Sequence, residues 1–146
     1  MSAVGELLPK IVEGAVGKEA IILDFISNGS IPLWAPVILA APGTGEDLAR
    51  VATTTTANST AVIGVAVGPI KPSGNCADGA GEKVLVCVWG RAKVKVNGAV
   101  NAGALLGTST TAGKAGSTST AGAILGKALA ASGADGDIIP VFVTLG

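Results

Sequence analysis

Residues 84–96 (VLVCVWGRAKVKV) constrain the fold of this chain more than any other stretch. The first half is almost wholly apolar and β-branched. The second alternates strictly, with Arg91, Lys93 and Lys95 on one face and Ala92, Val94 and Val96 on the other. A continuous apolar run predicts a strand covered on both faces, and an alternating one predicts a strand half open to water. Val84 to Trp89 should therefore be a core strand, and the residues after Arg91 should turn their basic face outward or toward an acidic neighbour.

On either side of this segment lie two stretches that resemble each other. Residues 61–67 (AVIGVAV) and 123–129 (AILGKAL) share Gly at the fourth place and Ala at the sixth. Each follows a Thr/Ser run and precedes a Gly/Asp loop and a strongly apolar strand. Units this short cannot bury an apolar face alone, so two must close on each other. The expected fold is all-β: a compact β-barrel or sandwich built from two similar half-units, with few exposed edges.

In chain order, residues 20–26 form a strand stopped by the Asn28-Gly29 turn. Pro32 and Pro36 exclude residues 31–36 from a central ladder. Trp34, between those prolines, is either a packed corner or a contact residue. Gly64 marks a bulge or a close backbone approach within its strand. Residues 69–82 read as a long loop, and Asn97-Gly98 as a hairpin turn. The Ala/Gly/Ser/Thr-rich region after it keeps returning to β-branched residues, which argues against a linker. Residues 138–145 close the chain, with Pro140 implying an edge strand or a bulge.

Residues 1–19 are the least domain-like part, an N-terminal arm before a β-rich domain over 20–146. The arm carries Leu7, Leu8, Ile11 and Val12 but is broken by Gly5, Pro9, Gly14 and Gly17. It lacks the unbroken apolar region of a signal peptide, and no apolar run approaches the roughly 18 residues of a membrane span. The expectation is a soluble protein made in a cytosol, with Cys76 and Cys87 as free thiols.

Charged residues make up 14% of the chain, against about 25% in ordinary soluble domains. That shortfall points to a surface covered by other copies or by a partner. The chain up to residue 49 carries six acids against Lys10 and Lys18, and the remainder is basic. The asymmetry can orient subunits but is too weak for nucleic-acid binding.

Chemistry is poorly supplied. Histidine is absent, which removes the usual general base and the commonest metal ligand. No phosphate loop or dinucleotide fingerprint is present, and Asp135-Gly136-Asp137 lacks the further ligands of a calcium loop. Arg91, Lys93 and Lys95 have no interleaved aromatic residues to stack bases. The sequence predicts no enzyme: no catalytic residues, no metal, no cofactor, no nucleic acid and no membrane.

Residues 94–100 (VKVNGAV), 104–115 (ALLGTSTTAGKA), 123–129 and 138–143 (IIPVFV) resemble the capsid decoration, or cement, proteins of tailed phages. The resemblance covers roughly residues 84–146, with a weaker echo in 31–70. It implies a homotrimer on the outer capsid surface of the virion, bound to the major capsid protein and stabilising the expanded head. It also implies an arm that reaches neighbouring capsid subunits, here placed by position on Leu7, Leu8, Ile11 and Val12. Arg91, Lys93, Lys95 and Trp34 are the candidate contacts with a subunit or partner. The alternative is a trimeric head- or tail-fibre module that binds a host receptor or glycan.

Overall fold

The computed structural model describes residues 20–40 and 49–146. The expected arm, with Leu7, Leu8, Ile11 and Val12, lies outside the described residues. Among the described residues there is no helix. The strands are β1 (Ala20–Asn28), β2 (Ile31–Pro32), β3 (Pro36–Ala40), β4 (Arg50–Ala52), β5 (Val62–Gly68), β6 (Asn75–Ala77), β7 (Ala80–Lys95), β8 (Leu105–Thr108), β9 (Ala115–Ser117), β10 (Gly126–Ala128) and β11 (Ile138–Val143).

The pairings form two rings that share β7. In the first, the order β1-β4-β3-β5-β7 returns to β1, and only the β1–β4 contact is parallel. In the second, the C-terminal part of β7 pairs with β11, then β10, β8 and β9 follow. A parallel bridge between Val96 and Ala115 brings β9 back to the end of β7. The second ring therefore repeats the first strand for strand, including the single parallel closure.

The registers repeat as well. Val65 and Ala66 of β5 face Cys87 and Val86 of β7. Lys127 and Ala128 of β10 face Phe142 and Val141 of β11 in the same order. Gly64 faces Val37, and Gly126 faces Leu106. A Cβ on Gly64 would collide with the Cys87 carbonyl oxygen, and one on Gly126 with that of Phe142. The shared Gly and Ala of the two sequence stretches thus hold equivalent places. The duplicated all-β architecture expected from the sequence is what the chain forms.

Two clusters fill the interior. Ile31, Val37, Val51, Ala66, Cys76, Val84 and Val86 belong to one. Val65, Cys87, Val94, Val96, Leu106, Leu125, Val141 and Val143 belong to the other. Successive side chains on a strand point to opposite faces, so the neighbours Val86 and Cys87 supply different cores. Val65 and Ala66 divide in the same way. Val84, Val86 and Cys87 are accordingly buried, while Leu85 and Val88 are half-buried. Trp89 departs from the core expectation: it is 46% exposed because the apolar cover ends where β7 passes from one ring to the other, at Gly90 (φ +105°).

Three other expectations need correction. The stretch 69–82 is not all loop: it contains β6, which pairs antiparallel with β2 and buries Cys76 and Ala77 completely. Three residues among glycines and prolines carry no periodicity to announce a strand. Asn97-Gly98 makes a turn, but the strands flanking it do not pair with each other; β8 lies between β10 and β9. Finally, β11 is no edge strand, since β7 and β10 flank it. Pro140 is accommodated because it lies just beyond the β10 ladder, which covers Val141, Phe142 and Val143; it faces Lys93 of β7 on one side, and on the other only its carbonyl is used, accepting from Leu129 N at 3.0 Å.

Cys76 and Cys87 are free and buried. Burial pushes the Cys76 thiol up to about 11. Cys87 is also raised by burial, partly offset by a hydrogen bond with the Trp89 backbone. Both thiols are thus held in the protonated, unreactive form at neutral pH.

Candidate interaction surface

β1 has an apolar sequence but little cover. Ile21, Ile22 and Leu23 are 48%, 49% and 47% exposed, although successive residues point to opposite faces. Ile21 faces Trp89 across the β1–β7 ladder. The Trp89 ring makes an edge-to-face contact with Phe142, centroids 5.2 Å apart. Exposed apolar neighbours of this size on one strand pair mark an interaction surface.

Beside this face lies a cavity of about 470 Å³ whose wall includes Ala20, Ile22, Trp34, Val67, Arg91 and Lys93. The sequence expectation of an alternating strand explains its rim. Val94 and Val96 are fully buried, while Arg91 and Lys93 stand exposed and Lys95 is half-buried. Lys93 Nζ sits 5.9 Å from the centroid of the Trp34 ring, a cation–π contact worth roughly 0.5–1 kcal/mol at an exposed site. Lys95 and Trp34 also border a second cavity of about 340 Å³, together with Ser73, Asn75 and Ile138. The four candidate contact residues Trp34, Arg91, Lys93 and Lys95 therefore come together, around one tryptophan.

Trp34 is neither a core corner nor a free side chain: it is half-buried. Its backbone lies in the left-handed region at φ +64°, which costs an L-residue about 1–2 kcal/mol. Two hydrogen bonds hold it there. Trp34 N donates to the Ala66 carbonyl at 2.9 Å, and its own carbonyl accepts from Lys95 N at 3.0 Å. The strain is thus maintained by both β5 and β7, and it places the ring between the two cavities.

The apolar face of β1 is what sequence reasoning did not single out. Its signal was present: residues 20–23 are apolar without alternation, which predicts cover on both sides. That cover does not come from the described residues.

Away from this surface, the β6 loop is stapled by charge. Lys71 Nζ lies 2.6 Å from Glu82 Oε1. That hydrogen-bonded pair raises the Lys71 pKa and lowers that of Glu82. Hydrogen bonds from Ser73 and then Asn75 lower Asp78. Depressed carboxylates support the loop fully above their unfolded pKa values, and that support fades as pH falls through the lowered folded ones. Lys71→Ala should return Glu82 to the ordinary glutamate range in a carbon-detected NMR titration; an unchanged midpoint would remove Lys71 as the cause.

Asp137 accepts hydrogen bonds from the Ser132 hydroxyl and the Ala134 amide, so it serves its own turn. Among the described residues no group of three His, Cys, Asp or Glu side chains is placed to hold a metal.

No family model and no curated protein matches the chain. Among solved structures it is similar to the N base of the head fibre gp8.5 of bacteriophage phi29, with a TM-score of 0.60 and 14% identity. The match covers 85% of this chain and 93% of that one. At this identity the likeness is one of fold.

Proposed function

We propose that this chain is a structural protein of a tailed-phage virion, which binds the outer surface of the head as a homotrimer and stabilises the expanded capsid. The observation that carries the reading is the fold shared with a phage head-fibre base over most of both chains. The exposed apolar face of β1 supports it, because apolar neighbours left open to water are where a protein meets a partner. On this reading the protein is not an enzyme and needs no cofactor. Its partners are the major capsid protein and its own copies.

The mechanism is additive. Each copy removes apolar surface from water at about 25 cal/mol per Å², and the entropy of association cancels part of that sum. Many copies then resist pressure that none resists alone. Leu7, Leu8, Ile11 and Val12 of the arm are assigned to strand addition at a capsid sheet edge.

Purified protein added to expanded heads that lack it should bind saturably, in a fixed ratio to the major capsid protein that is a multiple of three per site. Deleting residues 1–18 should leave a folded protein that binds at least tenfold more weakly. No binding by the full chain rejects the reading, and unchanged binding by the truncated one removes the arm from it. The same likeness to a head fibre favours a second reading, a fibre base that presents a receptor- or glycan-binding module. A glycan-array signal without head binding would select it.

A further inference from the structure

Ion pairing sorts the bases of the described domain into two groups. Lys71, Lys83 and Lys114 are each held by a carboxylate, and Arg50 hydrogen-bonds the end of β1. Arg91, Lys93, Lys95 and Lys127 have no carboxylate partner among the described residues. These four share one surface, because residues opposite each other in an antiparallel ladder lie on the same face. Arg91 is opposite Phe142, and Phe142 is opposite Lys127 on its other side. Lys93 is opposite Pro140, and Lys95 is opposite Ile138. No acid occurs in β8 to β11 or in β7 beyond Arg91. The face is thus purely cationic, and the exposed side chains of Leu105, Leu129 and Ile138 lie among its charges.

We infer that this outer face of the second ring docks a different protein, whose contact surface sets carboxylates among aliphatic side chains. Charge complementarity and the interleaved apolar groups select that occupant together. A nucleic acid or an acidic glycan would pair the cations but leave Leu105, Leu129 and Ile138 open to water. It would also find few rings to stack on, since Trp89 packs against Phe142 and Trp34 lies beneath Lys93. A bilayer needs apolar groups that reach deepest, with cations held back at the headgroups. Here the order is reversed, because lysine and arginine side chains are longer than leucine and isoleucine on the same sheet face.

A second copy offers no described surface of opposite sign. Asp24, Glu82 and Asp135 are engaged by Lys83, Lys71 and Lys114, while Asp78 and Asp137 accept hydrogen bonds within their own turns. The inference concerns the chemistry of the partner, and holds whether or not that partner is a capsid shell.

The test is a titration of the purified, nitrogen-15-labelled full chain with a random copolymer of glutamate and tyrosine, which supplies carboxylates and apolar groups on one polypeptide. Amide shifts should concentrate at residues 91–95, 127–129 and 138–142. Lys93→Gln with Lys127→Gln should weaken binding about fivefold, as two exposed ion pairs lost. Lys83→Gln with Lys114→Gln removes the same net charge elsewhere and should change it less than about twofold. Leu129→Ser with Ile138→Ser should weaken binding about threefold, since these exposed side chains are partly covered on docking. All of these side chains are at the surface, and the dispersion of each spectrum confirms folding. For the unaltered chain, raising the salt to physiological strength should weaken binding severalfold. Binding that ignores the serine changes assigns the face to polyanions and overturns the inference. Tighter binding to phosphatidylglycerol vesicles than to the copolymer assigns it to lipid, with the same consequence. No shifts on this face, or salt-sensitive self-association through it, also overturn the inference. Failure to bind phage heads would instead reject the capsid reading alone.

Discussion

Gly64→Ala destabilises the protein by about 3 kcal/mol, and Gly126→Ala does so to a similar extent, at the upper end of the usual 1–3 kcal/mol for overpacking. The added methyl group at Gly64 meets the carbonyl of Cys87 and the side chain of Val86; at Gly126 it meets the carbonyl of Phe142. Both obstacles include backbone within a ladder, so neither yields by a rotamer change. The strands must part, and hydrogen bonds between β5 and β7, or between β10 and β11, are lost. Gly107→Ala meets the Ala123 carbonyl at a slightly longer 2.7 Å and should cost less. Urea denaturation followed by tryptophan fluorescence checks this, the change being read from the midpoint at constant slope. A cost under 1 kcal/mol at either glycine contradicts the equivalence of the two rings.

Leu125→Ala costs about 3–4 kcal/mol, inside the 2–5 kcal/mol range for truncating a fully buried leucine. Leu125 is completely buried, in the cluster that also holds Val65 and Cys87 from the first ring. The cavity it leaves therefore touches both halves. Unfolding should stay a single transition that moves as a whole, with near-UV circular dichroism and far-UV signal changing together. Separation into two transitions would mean that the rings are independent units, and the shared cluster no more than a contact.

The sequence made the duplication legible because its constraint is steric. Only glycine allows the approach made at residues 64 and 126, and the alanine two places later is buried in both rings, so the pattern survives the divergence of everything around it. Residues 84–96 were legible because one strand serves two cores and then faces water, and each condition leaves its own periodicity. β6 and β9 left no such trace: at three residues each, they are strands only because a long-range partner pairs with them. Trp89 and the β1 face were misjudged or missed for one physical reason. An apolar run declares that cover exists, but it does not say which molecule or segment supplies it. The basic stripe was legible as a stripe, while its meeting with Trp34 depends on a left-handed residue that no local pattern announces.

Gly90 is the register partner of both Ala20, at the start of β1, and Val143, at the end of β11. The first and last strands of the described domain therefore begin and end within about 10 Å of each other, two ladder spacings. The domain is topologically almost a circle. A short Gly/Ser linker from Gly146 to Ala20 should join the two ends without moving either ring. New ends opened between Gly133 and Ala134, in an exposed turn, would then give a permuted chain with the same architecture. A segment joined directly before Ala20 or just after the end of β11 would leave the domain from the same region, at the middle of the strand that both rings share.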